Sequence, residues 1–330
     1  MKKSKYSVFA ILFVTVLVLF FALKDDFLEK IQYLFSFNIW WLLLGILFVI
    51  LYWLLKSLVI YFCASKFNKY SLKKAFKLIL DTQFFNAVTP FSTGGQPYQI
   101  YRFKKQGFSL EQGTHIVIQD FIVYQIALVL LGTIAVISNS VLCLFPDDRL
   151  LKELVILGYL INLFVIILLF IVAFNKKGNK KLLEFVIKVG AKFKLIKNKE
   201  HFLNRTTEII NDYHKNAVLL MESKWHFIKI ILINFIALII LYLVPFTLIV
   251  GLGESINPFL TVMTSAYVML IGAFVPIPGG SGGIEFGFVR FFGFFVVGAK
   301  LSSIMIAWRC LTYYFGLIIG AISVSNVEEE

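Results

Sequence analysis

Long uninterrupted apolar runs, rather than amphipathic stripes, dominate the chain. They extend over Tyr6–Leu23, Ile39–Phe62, His115–Ile137, Leu154–Phe174, Phe227–Val250 and Ser302–Ser323. Each approaches or passes the roughly 20 residues that a helix needs to cross a hydrocarbon core. Two further apolar stretches, 75–103 and 257–297, are interrupted midway by Pro and Gly: T-P-F-S-T-G-G-Q-P at Thr89–Pro97 and V-P-I-P-G-G-S-G-G at Val275–Gly283. Broken backbone cannot face lipid, because each unpaired N–H or C=O left in hydrocarbon costs several kcal/mol. Both stretches are therefore predicted to be re-entrant helical hairpins sheltered inside a bundle.

Composition agrees with this pattern. Of 330 residues, 59% are hydrophobic and only 15% charged, with a mean hydropathy of +0.84, which is far from the globular mixture. The net charge of +13 is gathered in polar stretches that lack any zinc, helix-turn-helix or aromatic-basic signature, so nucleic acid is excluded as a partner and anionic lipid is favoured. Cys63, Cys143 and Cys310 show no paired spacing and read as apolar fillers. The run after Lys2, Lys3 and Lys5 resembles a signal sequence without a small-x-small cleavage site, so a retained first helix is expected.

The basic residues set the expected orientation. The N-terminus, Lys66–Lys77 with Arg102, Lys104 and Lys105, and Lys176–Lys229 hold most of them, whereas Lys24–Trp40 and Ser138–Glu153 mix few with Asp25, Asp26, Asp147 and Asp148. The first group is expected in the cytoplasm, together with both termini, at a bacterial plasma membrane. The hairpins then insert from opposite sides. Their sequences match when A-V-T-P-F-S-T-G-G…R-F (Ala87–Phe103) is set against A-F-V-P-I-P-G-G…R-F (Ala273–Phe291), equating Pro90 with Pro276 and leaving the second two residues longer. The predicted fold is an all-α integral membrane protein: about six transmembrane helices plus two re-entrant hairpins in an inverted repeat, residues 1–138 and 139–330. The basic segment 175–226 is a connector between them. Its section Lys181–Lys197 interleaves Lys with apolar residues as a helix on an anionic surface would, or as a solvated linker would.

Ionisable side chains inside apolar spans are costly enough to be read as functional. Asp81, Arg102, Asp120, Glu285, Arg290 and Arg309 are the candidates, with Asn86 and Gln96 as uncharged company. Asp120 and Tyr124 share a helix face four residues apart, as do Arg309 and Tyr313. The turns contribute Pro90, Gly94, Gly95, Pro276, Pro278, Gly279, Gly280, Gly282 and Gly283, and the bare N–H groups of their glycines suit an anion. The guanidiniums suit a phosphodiester. Alternatively these charges pair among themselves to fix the bundle. No phosphate-binding loop, nucleophile elbow or metal-spaced pair among His115, His201, His214 and His226 occurs, so no catalytic residue, metal or cofactor is expected.

The segments Phe84–Tyr101, Ile118–Gln125, Pro276–Glu285 and Trp308–Tyr314 give the chain a resemblance to the lysylphosphatidylglycerol synthase transmembrane-region family, the membrane module of multiple peptide resistance factor proteins. The resemblance covers essentially the whole chain. It implies a flippase-type domain moving phospholipid, aminoacylated or otherwise anionic, to the outer leaflet, with antimicrobial peptide resistance as one outcome; a glycolipid headgroup is another substrate it admits. It implies roles for the Pro-Gly turns, Glu285 and Arg309. Many relatives show Glu-Arg and a later Asp where this chain has Asp120, Phe121 and Tyr124. Full-length relatives append a cytosolic aminoacyltransferase domain after this region, so the expectation is a transporter without enzymatic activity. Two rivals are a lipid-modifying membrane enzyme, with Asp120 or Glu285 as general base, and an accessory scaffold for a lipid synthase. Expected partners are membrane phospholipids, a second copy of the chain or such a synthase.

Overall fold

The computed structural model describes residues 27–145, 148–174, 224–272 and 275–325. The first predicted crossing (Tyr6–Leu23), most of the basic connector with Lys181–Lys197, and both chain ends lie outside the described residues. Within them the protein is all-α, without strands.

In chain order the helices are α1 (Phe27–Phe35), α2 (Ile39–Ala64), α3 (Leu72–Ala87), α4 (Gly95–Lys105), α5 (Leu110–Leu142), α6 (Arg149–Phe174), α7 (Lys224–Tyr242), α8 (Val244–Gly251), α9 (Pro258–Gly272), α10 (Gly283–Phe292), α11 (Gly298–Arg309) and α12 (Phe315–Ser325). Five helical stretches, 39–64, 110–142, 149–169, 224–251 and 298–325, are long and apolar enough to cross a membrane. They extend the five predicted crossings in this region by one to five residues at most ends. α1 falls in the predicted external loop.

Two of these crossings are not continuous α-helix. Pro245 removes a backbone donor and α7 gives way to α8 at Leu243, as a mid-helix proline dictates. Between α11 and α12, Cys310–Tyr314 form a turn of π-helix, a widened geometry that often marks functional sites. Apolarity reports whether a segment is solvated by lipid, not whether its hydrogen-bond ladder is regular: Pro245 marks the first break within its run, whereas the π turn has no such mark.

The hairpins arise from opposite ends of α2. Its 26 residues make it about 39 Å long. At its N-terminal end the Asn38 N–H donates to the Gly251 carbonyl at 2.9 Å, so α8 ends where α2 begins, and the second hairpin (α9, α10) starts there. The first hairpin (α3, α4) starts at the Ala64 end. The arms α3 and α9, of 16 and 15 residues, reach only about 22–24 Å, short of a hydrocarbon core of roughly 30 Å. Each open end is closed by aromatic packing: Tyr70 and Phe108 against Phe103 in the first, Phe145 and Tyr267 against Phe291 in the second. The crossing α11–α12 runs between them. Trp53, midway along α2, stacks on Phe315 with centroids 5.4 Å apart; Gly320 brings α12 against the backbone of α3, and Gly316 lies against the Gln83 and Trp53 side chains.

Candidate functional site

Each hairpin is broken by a short 3₁₀ turn opening on proline, Pro90–Ser92 and Pro278–Gly280. The two residues after that proline are left-handed in both, Phe91 and Ser92 (φ 53 and 53) and Gly279 and Gly280 (φ 65 and 63). The equivalent of Pro90 is therefore Pro278, and the pairing with Pro276 inferred from sequence is shifted by two residues. In the corrected register Gly95 and Gly283 both begin the returning helix five residues after the proline, Arg102 matches Arg290 and Phe103 matches Phe291, and the length difference vanishes. Glycine adopts this backbone without strain. At Phe91, which is 56% exposed, a bulky residue does so at a cost of roughly 1–2 kcal/mol, the kind of local strain that gathers at functional turns.

Side chains of the arms hold the first turn open. Thr89 Oγ1 accepts from the Gly94 N–H at 2.8 Å and Asn86 Oδ1 from the Gly95 N–H at 3.0 Å. In the second turn the Gly282 N–H donates to Glu285 Oε2 at 2.7 Å. Pro276 precedes this turn and is exposed.

Arg309 organises the meeting point. Its Nη2 donates to the Gly279 carbonyl at 3.0 Å and to Ser281 Oγ at 3.2 Å. Its Nε stands 2.8 Å from Glu285 Oε1 as an ion pair, though neither atom makes an aligned hydrogen bond. The guanidinium lies 4.6 Å from the centroid of the Tyr313 ring, the i,i+4 pairing expected from sequence. Tyr313 then joins the hairpins: its ring sits so close to Gly279 that a Cβ there would come within 2.3 Å of it, and its hydroxyl donates to the Ala87 carbonyl at the end of α3 at 2.9 Å. The two tips thus touch beside the π turn, near the middle of the α11–α12 crossing. Both charged side chains are nearly buried, 7% and 11% exposed.

The other candidates fall into separate groups. Asp81 is fully buried; Tyr98 donates to its Oδ2 at 2.9 Å and Ser323 of α12 to its Oδ1. Arg102 Nε approaches the same carboxylate at 3.9 Å. Asp120 and Tyr124 do not join Arg309 by any hydrogen bond or ion pair among the described residues. Asp120 is paired instead with Lys56 of α2 at 2.5 Å, Lys56 also donates to Asn234 Oδ1 of α7 at 3.0 Å, and the Tyr124 ring lies 5.2 Å from its ammonium. Arg290 is exposed, against the Phe286 ring. Gln96 is half-buried beside the first turn. Sequence reasoning missed Lys56, Tyr98, Ser281 and Ser323. Lys56 carries a legible signal, as the only charged residue within the run Ile39–Phe62.

Two comparisons bear on this arrangement. A curated relative, an UPF0104 membrane protein from Archaeoglobus fulgidus, is 23% identical over 289 residues, which cover 86% of each chain. A family model described as the lysylphosphatidylglycerol synthase TM region matches residues 7–320, a span that includes both hairpins and the charged residues Lys56, Asp81, Arg102, Asp120, Glu285 and Arg309. The chain therefore belongs to the lysylphosphatidylglycerol synthase TM region family of membrane proteins.

Proposed function

We propose that the protein moves the polar headgroups of membrane phospholipids, anionic or aminoacylated, between leaflets, acting as a transporter and not as an enzyme. The observation that carries this reading is the contact of two broken hairpins, raised from opposite ends of α2, over the buried Arg309–Glu285 pair. Paired broken helices at mid-membrane depth are how transporters bring bare helix termini and charged groups to a polar substrate. Arg309 presents a guanidinium suited to a phosphodiester, while the expected bare N–H groups of Gly280 and Gly282 are held in this state by the Ile277 carbonyl and by Glu285. The two halves behave in this reading as inverted repeats whose tips part alternately toward each side, while the acyl tails stay in lipid.

Charge supports the orientation. Lys66, Lys69, Lys73, Lys74, Lys104 and Lys105 are exposed at the Ala64 end, whereas at the opposite end Arg149 and Lys300 are balanced by Glu153 and Glu254. The Ala64 end is accordingly cytoplasmic under the positive-inside rule, at a bacterial plasma membrane with both termini inside. Transport of aminoacylated lipid would link the protein to antimicrobial peptide resistance.

The test is leaflet exchange. Proteoliposomes containing the purified chain and trace fluorescent phosphatidylglycerol are treated with an impermeant quencher. The inner-leaflet fraction is expected to become quenchable far faster than in protein-free vesicles; equal rates would refute the reading.

A further inference from the structure

Among the described residues, the carboxylates Asp81 and Glu285 are buried and Asp120 is partly buried, and the three differ in how their oxygens are engaged. Asp81 has both oxygens occupied, by Tyr98 and Ser323. Glu285 has one oxygen on the Gly282 N–H and the other on Arg309. Asp120 engages Lys56 through Oδ1 alone, and its Oδ2 accepts no hydrogen bond among the described residues. The Lys56 and Asp120 side chains also keep 10% and 13% exposure. We propose that Lys56, Asp120 and Asn234 form a proton-binding site, separate from the hairpin tips, through which a pH gradient drives headgroup movement. The coupling rests on the transport reading above; the proton site does not.

Three features support this assignment. Lys56 already fills the position that a metal cation would take between the Asp120 carboxylate and the Asn234 carbonyl, so a proton is the one cation that can enter without evicting it. Protonation converts a neutral ion pair into a cluster of net charge +1: the proton leaves hydronium for Oδ2, and the ammonium keeps Asn234 and the Tyr124 face but loses its counter-charge. Inside a membrane that state is poorly tolerated, so it favours another packing of α2 against α5 and α7, the three helices that meet here. When the proton departs to water, the pair re-forms.

The surroundings supply a path. Toward the Ile39 end, Tyr52 stands one turn from Lys56 on α2, Tyr124 one turn from Asp120 on α5, and Tyr242 two turns from Asn234 on α7. The three phenols are within electrostatic reach of one another, and the Tyr242 hydroxyl is buried without a partner among the described residues. Toward the Ala64 end the pair faces Cys63 and, beyond it, Lys66. Asp81 on α3 is engaged elsewhere, by Tyr98, Ser323 and Arg102.

The experiment uses the full chain in two forms: solubilised for infrared difference spectroscopy on acidification, and in the proteoliposomes above with an imposed pH gradient. The wild type is expected to gain a carboxylic-acid carbonyl band that is lost in Asp120→Asn. One proton per headgroup shifts the labelled lipid's leaflet ratio about tenfold for each pH unit, a response absent from Asp120→Asn. Because Asp120→Asn leaves Lys56 uncompensated and can hinder folding, the neutral pair Lys56→Gln/Asp120→Asn serves as the second variant, expected to fold and to ignore the gradient. A difference spectrum that is unchanged by removing Asp120, or a gradient response that survives in the neutral pair, overturns the proposal. If the wild type moves no lipid at all, the transport reading fails and the infrared band alone decides the proton site.

Discussion

Replacing Arg309 by leucine is expected to destabilise the protein by about 3–5 kcal/mol, since Glu285 is then left as an uncompensated charge in a nearly buried position, and to reduce leaflet exchange to the protein-free rate. The loss has several parts. Gly279 and Ser281 forfeit their donor, the Tyr313 ring loses the cation above it, and the second turn loses its link to the π segment. Stability and function separate in the double variant Glu285→Gln/Arg309→Met. It carries no unpaired charge, so its thermal unfolding in detergent should return toward that of the wild type while exchange stays absent. Recovery of exchange in that double variant would reduce the pair to a structural role.

Gly320→Leu is expected to have the second large effect. A Cβ at Gly320 would lie 2.6 Å from the Phe84 nitrogen and 2.8 Å from the Leu80 carbonyl oxygen, both backbone atoms of α3 that no rotamer change can move aside. Gly316, one turn earlier, meets Gln83 and Trp53 at ordinary contact distance, so the two glycines form the small-residue face that lets transmembrane helices approach closely. A leucine forces α12 off α3, breaks the Ser323–Asp81 hydrogen bond and tilts the crossing that carries Arg309. Overpacking typically costs about 1–3 kcal/mol; contact with immovable backbone puts this case at or beyond the upper end. Gly132→Ala is the matched control, since its Cβ would meet Leu270 at an ordinary 3.5 Å and its melting temperature should stay close to that of the wild type.

How legible these features are in the sequence depends on the range of the interactions involved. The crossings are written in local composition, because hydrocarbon selects long apolar runs, and helices run through each predicted segment among the described residues. The hairpin breaks are equally local: Pro and Gly at Thr89–Pro97 and Val275–Gly283 state where regular hydrogen bonding stops. Their register is less local. With V-P-I-P offering two prolines, only the left-handed backbone at Gly279 and Gly280 shows that Pro278 is the counterpart of Pro90. The i,i+4 pairing of Arg309 with Tyr313 follows from helical spacing, whereas the partners that divide the charges into three clusters do not. Lys56 meets Asp120 and Asn234 across 64 and 178 residues of sequence, and Ser323 reaches Asp81 across 242. Such pairings depend on which helices are neighbours, and no periodicity encodes that. The π turn likewise has no compositional mark.

The passage of a headgroup between the hairpin tips is tested most directly by tying those tips together. With the native cysteines replaced by serine, Ser92→Cys and Ile277→Cys place thiols on exposed positions of the two hairpin tips and leave the Arg309, Glu285 and Tyr313 contacts in place. A short, reducible bis-thiol reagent can bridge them. If headgroups move between the tips, bridged protein should lose leaflet exchange of fluorescent phosphatidylglycerol and regain it on reduction, while the unbridged variant remains active. Undiminished exchange in fully bridged protein would contradict the account.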